Sequence, residues 1–172
     1  MNQFTPTDPH SLLFKPFYDI SKGWWTINVD GPAPNAMTAS WAGLGIMWNK
    51  PVLLLYVRPE RHTHTLLSQT SQVTVCCFDA PDCRKELGYL GRVSGRDEDK
   101  IAGCGLTWRR EGGACFFDEC RWYVKGRVLH SQLISEEGFN PEVAQEIMSM
   151  YGGAKGSLHR LYTLEICNLM TR

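Results

Sequence analysis

Cationic and hydroxyl side chains gather around one proline-stiffened turn of the sequence. Arg58 to Arg61 reads Arg-Pro-Glu-Arg, and the hydroxyls of Thr63 and Thr65 follow it. The planar guanidinium of arginine can make two parallel hydrogen bonds to phosphate oxygens, and the first turn of a following helix would add free backbone amides. These residues therefore suit a phosphate monoester. A solvated charged turn, in which the arginines pair with Glu60, is the alternative.

A second group of polar side chains lies earlier in the chain, where Thr38 and Ser40 precede Trp41. Hydroxyls beside an indole suit a ligand with a polar edge and a flat apolar body. A barrel strand with exposed hydroxyls and a buried indole is the alternative, and these residues alone favour it. The apolar run Val52 to Val57 separates this group from the arginine turn. Residues 35–65 thus offer partners for a flat ligand that ends in an anion.

Other residues that could do chemistry give less specific signals. Ser94, Arg96 and Lys100 combine a hydroxyl with cations, but they also suit an exposed loop. His62 and His64 have the spacing of two metal ligands on one face of a strand. No third ligand is evident near them, so the sequence does not predict a metal site.

Several familiar catalytic and nucleotide-binding motifs are missing from the sequence. Its seven cysteines form no CxxC pair, which argues against a zinc ribbon, a thioredoxin motif and a complete disulfide framework. We therefore expect buried, reduced thiols. There is no GxSxG elbow and no GxxxxGK[ST] loop, and Gly43 and Gly45 lack the third glycine of a dinucleotide-binding turn.

Composition limits the class of protein. Lysine plus arginine equals aspartate plus glutamate at 18 each, so no net charge attracts nucleic acid. No apolar run approaches the roughly 20 residues that span a bilayer, and the first residues do not resemble a secretory signal. We expect a cytoplasmic protein without nucleic-acid or membrane partners. A chain of 172 residues predicts one domain, residues 1–172.

The elements that would position these residues are mostly short strands. Patterns of β-branched and aromatic residues predict strands at 24–29, 36–47, 52–57, 73–78, 106–134 and 162–166, with turns at 111–113 and 125–126. Gly43 and Gly45 predict a bulge or a close backbone approach within the second strand. Helix signals occupy 63–70, with Thr63 or Thr65 as cap, and 80–90, 97–102 and 141–151. Residues 1–22 predict an irregular arm that Phe14 and Phe17 pin to the body. The pattern favours a mainly β protein, an antiparallel barrel with helical insertions.

The chain resembles the flavin reductase-like family of FMN-binding split barrels, flavoredoxins included. The resemblance covers about Lys15 to Ile166 and rests on three motifs in this order: NAMTASWAGLGIMWNKPV, VRPERHT and SGRDEDKIAGCGL. It implies a six-stranded antiparallel Greek-key split barrel and a homodimer. It also implies one non-covalent FMN per subunit, near the dimer interface.

The same resemblance implies which residues hold FMN. The flavin ring and ribityl chain would lie on Asn35, Met37, Thr38, Ala39, Ser40 and Trp41. The phosphate end would be formed by Arg58, Pro59, Arg61, His62 and Thr63, with a second basic wall at Ser94, Arg96 and Lys100.

The chain departs from the family pattern at a few positions. Relatives often carry tyrosine in place of His62 and His64, and glycine in place of Leu164. The tail resembles the family's HR-x-Y-x-x-E-I ending, which would put His159 on the substrate side of the flavin. A surface histidine beside a strand is the alternative. The glycine-rich segment 152–157 has low intrinsic order.

Membership in this family would imply an FMN-dependent oxidoreductase. Electrons would pass from NAD(P)H or another small-molecule donor through FMN to a small-molecule acceptor. No general acid or base is assigned. The rival is a flavoredoxin-like electron carrier without its own NAD(P)H oxidase activity. A third possibility is a member that has exchanged FMN for another ligand.

Overall fold

An antiparallel sheet of eight strands forms the centre of the protein, described by a computed structural model for residues 3–79, 82–152 and 157–172. The strands are β1 Thr5–Thr7, β2 Trp25–Val29, β3 Asn35–Ala39, β4 Ala42–Met47, β5 Lys50–Val57, β6 Gln72–Cys77, β7 Trp108–Glu111, β8 Ala114–Phe117, β9 Trp122–Leu133 and β10 Arg160–Thr171. The main sheet has the order β3-β2-β6-β9-β10-β5-β4, β1 pairs with β10, and β7 and β8 form a separate hairpin.

Helical segments lie between the strands. They are α1 Pro16–Tyr18, a π-helix Asp19–Gly23, α2 His62–Leu67, α3 Arg84–Arg92, α4 Lys100–Gly103 and α5 Pro141–Ser149, with short 3-10 turns at Pro9–Ser11 and Glu136–Gly138. The predicted class, mainly β with helical insertions in an antiparallel split barrel, is confirmed. Within the described residues, none of the helices combines the length and the apolar character needed to cross a membrane.

Two residues join the strands at the opposite ends of the main sheet. β3 and β4 are the end strands of the main sheet, yet only Ser40 and Trp41 connect them. A connection this short holds the two ends close together, as in a barrel. It also places these two residues at the rim, where a ligand can reach them.

Two apolar cores flank the sheet. Trp25 and Trp122 are fully buried in the first, with ring centroids 5.5 Å apart in an edge-to-face arrangement. The second lies around Phe78, Leu87 and Phe117, beneath α3 and the β7–β8 hairpin. Burying one such side chain contributes about 1.5–3 kcal/mol, so the cores fix the strands that carry the polar residues.

Strand boundaries differ from the sequence predictions in three places. The single strand predicted over 36–47 is two strands, and β4 pairs with β5 in unbroken register, so the predicted bulge at Gly43 and Gly45 is wrong. The turn predicted at Lys125–Gly126 is also wrong, because β9 continues through it. A Cβ at position 126 would lie 3.4 Å from the side chain of Leu164. Glycine at this position therefore leaves space for the buried leucine. The sheet therefore has eight strands rather than six, with β1 as the other addition.

The N-terminal arm is more ordered than predicted. Thr5 pairs with Thr171 in β10, and the buried Asp19 forms an ion pair with Arg121 at 2.9 Å. Phe14 pins the arm as expected, with its ring 5.9 Å from that of Trp25. Phe17 does not, since it is 90% exposed.

Helix positions broadly follow the predictions, with shifted ends. The helix predicted over 80–90 is observed as α3, and Ala80 and Pro81 lie outside the described residues. Helix α2 begins after Arg61 without a side-chain cap, so the predicted caps at Thr63 and Thr65 are wrong. All seven cysteines are free thiols, and five are buried, whereas Cys83 is half-buried and Cys167 is exposed.

Candidate functional site

A cleft of about 320 Å³ opens at the barrel rim beside the Ser40–Trp41 connection. Five of the six residues predicted from the first motif line it, and the exception is Asn35. Residues from β5, α3 and the C-terminal third of the chain complete the walls. The full lining is Met37, Thr38, Ala39, Ser40, Trp41, Tyr56, Arg58, Arg61, Gly91, Met150, Tyr151 and His159.

An adjoining cavity of about 260 Å³ lies between the start of α2 and the end of α3. Its lining brings together the arginine turn and the Ser94–Lys100 segment, which are about thirty residues apart in sequence. The residues are Glu60, Arg61, His62, Thr63, Arg92, Val93, Ser94, Arg96 and Lys100. Arg61 lines both spaces, so the structure brings the three predicted groups into one continuous site. Pro59 lines neither space.

Asn35 supports the second cavity from below rather than lining it. It is 2% exposed, and its Nδ2 donates to Thr63 Oγ1 at 2.8 Å. Because this oxygen accepts from Asn35, the Thr63 hydroxyl proton remains free for another acceptor. Ser94 is arranged in the same way, since its Oγ accepts from the backbone N–H of Arg96 at 3.2 Å.

The two arginines of the turn have different surroundings. Arg58 Nε pairs with Glu60 at 2.8 Å, as the charged-turn alternative expects. Arg61 instead donates to the Gly91 carbonyl at 2.5 Å and forms no ion pair with any carboxylate of the described residues. Burial lowers the pKa of Arg61, Glu60 opposes this effect, and Arg58 adds to it. Of the two arginines in this turn, Arg61 is therefore the one that remains available to bind an external anion.

Further positive groups converge on the cavity. Arg96 is held in place by the Glu60 carbonyl and Thr65 Oγ1, which accept from its guanidinium at 3.0 Å each. Burial lowers the pKa of His62, and the charges of Arg96 and Lys100 lower it further. These groups repel one another, so a bound anion would relieve the repulsion.

Lys100 lines the cavity, but protein acceptors occupy most of its ammonium group. It is 3% exposed, and Nζ donates to the carbonyls of Leu90 and Val93 at 3.0 and 3.1 Å. Burial, with a contribution from Arg61, lowers its pKa to about 8. These contacts show that Lys100 anchors the C-terminal end of α3. Gly91, which lines the first cleft, and Ser94, which lines the second cavity, lie in this region.

Thr38 and Trp41 both line the first cleft, but their contacts with the protein and their exposure differ. Thr38 Oγ1 donates to the Leu87 carbonyl at 2.5 Å, which ties β3 to α3. The indole of Trp41 is 46% exposed, so the alternative of a buried indole is wrong. It lies beside His159, with ring centroids 4.7 Å apart. The sequence alternative of a plain surface histidine is also wrong, because His159 lines the cleft.

His62 and His64 do not have the strand geometry on which a pair of metal ligands was considered. They lie two residues apart in helix α2 rather than on a strand, so their side chains point in different directions. Nδ1 of His64 is 2.6 Å from the Tyr162 hydroxyl, away from both cavities. In the part of the chain that the structure describes, no three metal-binding side chains come together.

Four residues that line the first cleft were not predicted from the sequence: Tyr56, Gly91, Met150 and Tyr151. Arg92 and Val93, which line the second cavity, were not predicted either. Tyr56 was counted only as part of an apolar strand. Gly91 is close-packed, since a Cβ there would lie 3.3 Å from Thr38, and nothing in the sequence links these two residues. Tyr151 is the last residue of the helix predicted over 141–151. Its aromatic ring just before Gly152 was the one sequence signal that could have marked it as a lining residue.

Comparison with known proteins places these features in context. Residues 22–172 match the family model described as "Flavin reductase like domain". A comparison with curated proteins found no match.

Three solved structures show the same fold at low sequence identity. A flavin reductases-like FMN-binding domain from Shewanella baltica has 13% identity and a TM-score of 0.69, covering 99% of this chain and 78% of that one. Flavoredoxin from Methanosarcina acetivorans has 17% identity and a TM-score of 0.64, covering 88% and 69%. The NADH:FAD oxidoreductase of Streptomyces globisporus has 14% identity and a TM-score of 0.65, covering 88% and 75%.

Proposed function

The chain belongs to the flavin reductase-like domain family, and we propose that it binds FMN and acts as an oxidoreductase. The flavin ring would occupy the cleft beside Trp41, and the phosphate would occupy the adjoining cavity. This arrangement follows the order of the motifs along the chain. The structures named above include proteins described as FMN-binding, as a flavoredoxin and as an NADH:FAD oxidoreductase, which supports a redox role.

The donors around the second cavity fit a phosphate group. Arg61 is the single observation that carries the proposal, because it lines both spaces and no described carboxylate pairs with it. The Thr63 and Ser94 hydroxyl protons are free beside it. The buried ring nitrogen Nδ1 of His62 also has no partner among the described residues. An acceptor-rich anion supplies the partners that such a set lacks.

The residues of the chain bind and orient, while bound FMN would supply the hydride and electron chemistry. Arg61, Thr63 and Ser94 would hold the phosphate. Residues 37–41 would line the ring, and Trp41 would shield one side from water. Donor and acceptor are small molecules in this proposal, with NAD(P)H as the candidate donor.

Titration with FMN tests the binding proposal. Purified protein should shift the flavin absorbance band and quench flavin fluorescence with a saturating, one-to-one stoichiometry. If neither signal changes when FMN is added, the proposal is wrong. If the protein is folded but does not bind FMN, we would infer that another ligand binds in the same cleft.

NAD(P)H oxidation separates an enzyme from an electron carrier. We expect the FMN-loaded protein to consume NADH or NADPH, followed at the nicotinamide absorbance band, when free flavin is supplied as acceptor. FMN binding without turnover would favour the carrier. Heat-denatured protein with the same amount of FMN controls for the reaction of free flavin.

We also propose that the protein is a homodimer that uses the tip of the β4–β5 hairpin. Ile46, Met47 and Trp48 are exposed there by 63%, 43% and 54%. Trp48 and Asn49 both have positive φ, 52° and 57°, at the tight turn between the two strands. A bulky residue in this conformation costs free energy, so a strained and exposed tryptophan suggests a binding role. A second copy of the chain is the proposed partner, since β4 is also an end strand of the main sheet.

The free thiols are relevant to the cellular compartment of the protein. Five buried cysteines remain unpaired with one another in the structure. Reduced thiols are typical of a reducing compartment, and we therefore assign the protein to the cytoplasm as part of the proposal.

A further inference from the structure

Tyr151 and His159 form a hydrogen-bonded pair on one wall of the cleft, away from the phosphate cavity. The Tyr151 hydroxyl lies 2.9 Å from Nδ1 of His159, and the two rings meet edge to face with centroids 5.4 Å apart. Trp41 packs against the imidazole from the β3–β4 connection at 4.7 Å. Two aromatic side chains therefore fix the position of the imidazole ring.

The surroundings of the phenol set the direction of this hydrogen bond. Burial raises the pKa of Tyr151, while Arg58 and the backbone N–H of His159 act in the opposite sense. The phenol thus remains protonated, and its proton can be donated to Nδ1 of His159, which lies 2.9 Å away. A neutral imidazole that accepts at Nδ1 carries its proton on Nε2.

The charges around His159 keep the imidazole neutral. Burial lowers its pKa to about 4, Arg58 adds to this effect, and Glu60 opposes it. Nε2 has no hydrogen bond to a described residue, and it is not one of the buried atoms left without a partner. The Nε2–H group therefore opens onto the cleft that His159 lines.

We propose that Tyr151 fixes His159 as the Nε2–H tautomer, so that the cleft presents a neutral N–H donor to a planar ligand that carries a carbonyl oxygen. The flanking aromatic rings favour a flat ligand. The Arg58 guanidinium, 5.6 Å from the centre of the Tyr151 ring, attracts the partial negative charge of such an oxygen. The inference rests on the proposed function only in identifying this ligand as the electron donor or acceptor beside FMN.

Nuclear magnetic resonance tests the tautomer directly. Long-range proton–nitrogen correlations of the full-length protein at neutral pH show which imidazole nitrogen carries the proton. We expect a single Nε2–H form for His159, and the exposed His130 provides a reference in the same spectrum. Tyr151→Phe removes the donor but keeps the ring, and should turn His159 into a mixture of tautomers. A proton on Nδ1, or a spectrum that Tyr151→Phe leaves unchanged, would overturn the inference.

A matched pair of ligands tests the ligand class. 4-Fluoroacetophenone and 4-fluoroethylbenzene have similar shapes, but only the first has a carbonyl oxygen. Fluorine spectra should show the ketone binding about threefold to tenfold more tightly, as one neutral hydrogen bond allows. His159→Phe should abolish this preference, so that the two ligands bind about equally. Equal binding of the two by the wild type would overturn the ligand class.

Repeating the titrations with FMN keeps the two proposals separate. If FMN does not bind but the ketone preference persists, the proposed function is contradicted and the inference about His159 stands. If FMN binds and the His159 tautomer is not fixed, the inference falls and the proposed function stands.

Discussion

At the scale of single residues, the site depends on side chains whose partners leave one group free. Thr63 is 1% exposed and accepts from Asn35, so its hydroxyl proton points to no described protein acceptor. Arg61 uses one nitrogen on the Gly91 carbonyl and has no described carboxylate partner. Each residue is held by the protein and still has a donor for a ligand.

Replacing Thr63 tests this arrangement. Thr63→Val keeps the shape but removes the oxygen, which leaves Asn35 Nδ2 buried without its partner. We expect a loss of about 1–3 kcal/mol in the free energy of unfolding and weaker FMN binding. Thr63→Ser keeps the hydroxyl and should restore most of the FMN affinity. The hydroxyl has no role if valine binds FMN as tightly as serine does.

The histidine in the cleft should affect stability in a defined pH range. The folded pKa of His159 is about 4, against an ordinary value of 6.5, so the unfolded chain binds more protons between these values. The contribution to the free energy of unfolding is therefore complete above pH 6.5 and is lost as the pH falls to about 4. Urea unfolding of the wild type and His159→Gln should diverge only in this window.

The exposed His130 supplies the control for that measurement. His130→Gln, which replaces an exposed histidine outside the cleft, is measured in parallel. Curves for the wild type and His159→Gln that stay parallel from pH 4 to pH 7.5 would contradict the burial of a neutral imidazole.

At the scale of elements, the connection after α3 sets the shape of the second cavity, which lies between α2 and α3. A Cβ on Gly95 would overlap Asn35 Oδ1 and would lie 3.2 Å from Cδ2 of His62. Gly95 is therefore needed where this loop passes over the start of α2. This close approach involves two segments that are distant in sequence, the loop at Gly95 and the start of α2.

A pair of glycine substitutions tests this packing. Gly95→Ala should displace Asn35 or the loop and lower both the melting temperature and the FMN affinity. Gly88→Ala lies within helix α3 with nothing inside 4 Å of the new Cβ, and should stabilise the protein by about 0.5–1 kcal/mol. Thermal unfolding with and without FMN measures both effects. Equal behaviour of the two variants would contradict the account of the loop.

Element types were largely predictable from sequence, whereas boundaries depended on contacts that local patterns do not contain. β2 and β6 are rich in β-branched residues, and both were found. The break at Ser40–Trp41 was missed because no turn residue marks the point where the chain passes from β3, which pairs with β2, to β4, which pairs with β5. Gly126 resembled a turn, but its small size accommodates Leu164 from β10. Likewise, the motifs predicted most of the residues around the cleft, while Gly91 and Tyr151 enter it through tertiary packing.

At the scale of the whole molecule, the hairpin tip at Trp48 is the proposed contact between two subunits. Trp48→Asn places there a residue that tolerates positive φ and removes the indole. We expect it to raise the free energy of unfolding of the subunit by about 1 kcal/mol and to weaken dimerisation at least tenfold. Sedimentation over a range of protein concentrations measures the second effect.

Asn49→Gly is the matched control for the hairpin variant. It relieves the neighbouring positive φ, 57°, without altering an exposed apolar side chain. Its dimerisation should equal that of the wild type. A wild-type protein that sediments as a monomer, or a Trp48→Asn variant that dimerises normally, would contradict the proposed interface.

The affinities for FMN and riboflavin, measured for the wild type and Arg61→Ala, test the central claim most directly. Riboflavin has the same ring and ribityl chain but no phosphate, so the ratio of the two dissociation constants isolates the phosphate contacts. We expect the wild type to prefer FMN, and Arg61→Ala to lower its FMN affinity by about tenfold to a hundredfold while riboflavin affinity changes much less. Arg109→Ala, an exposed arginine outside both cavities, should change neither affinity. Equal binding of FMN and riboflavin by the wild type, or an FMN affinity unchanged by Arg61→Ala, would contradict the site described here.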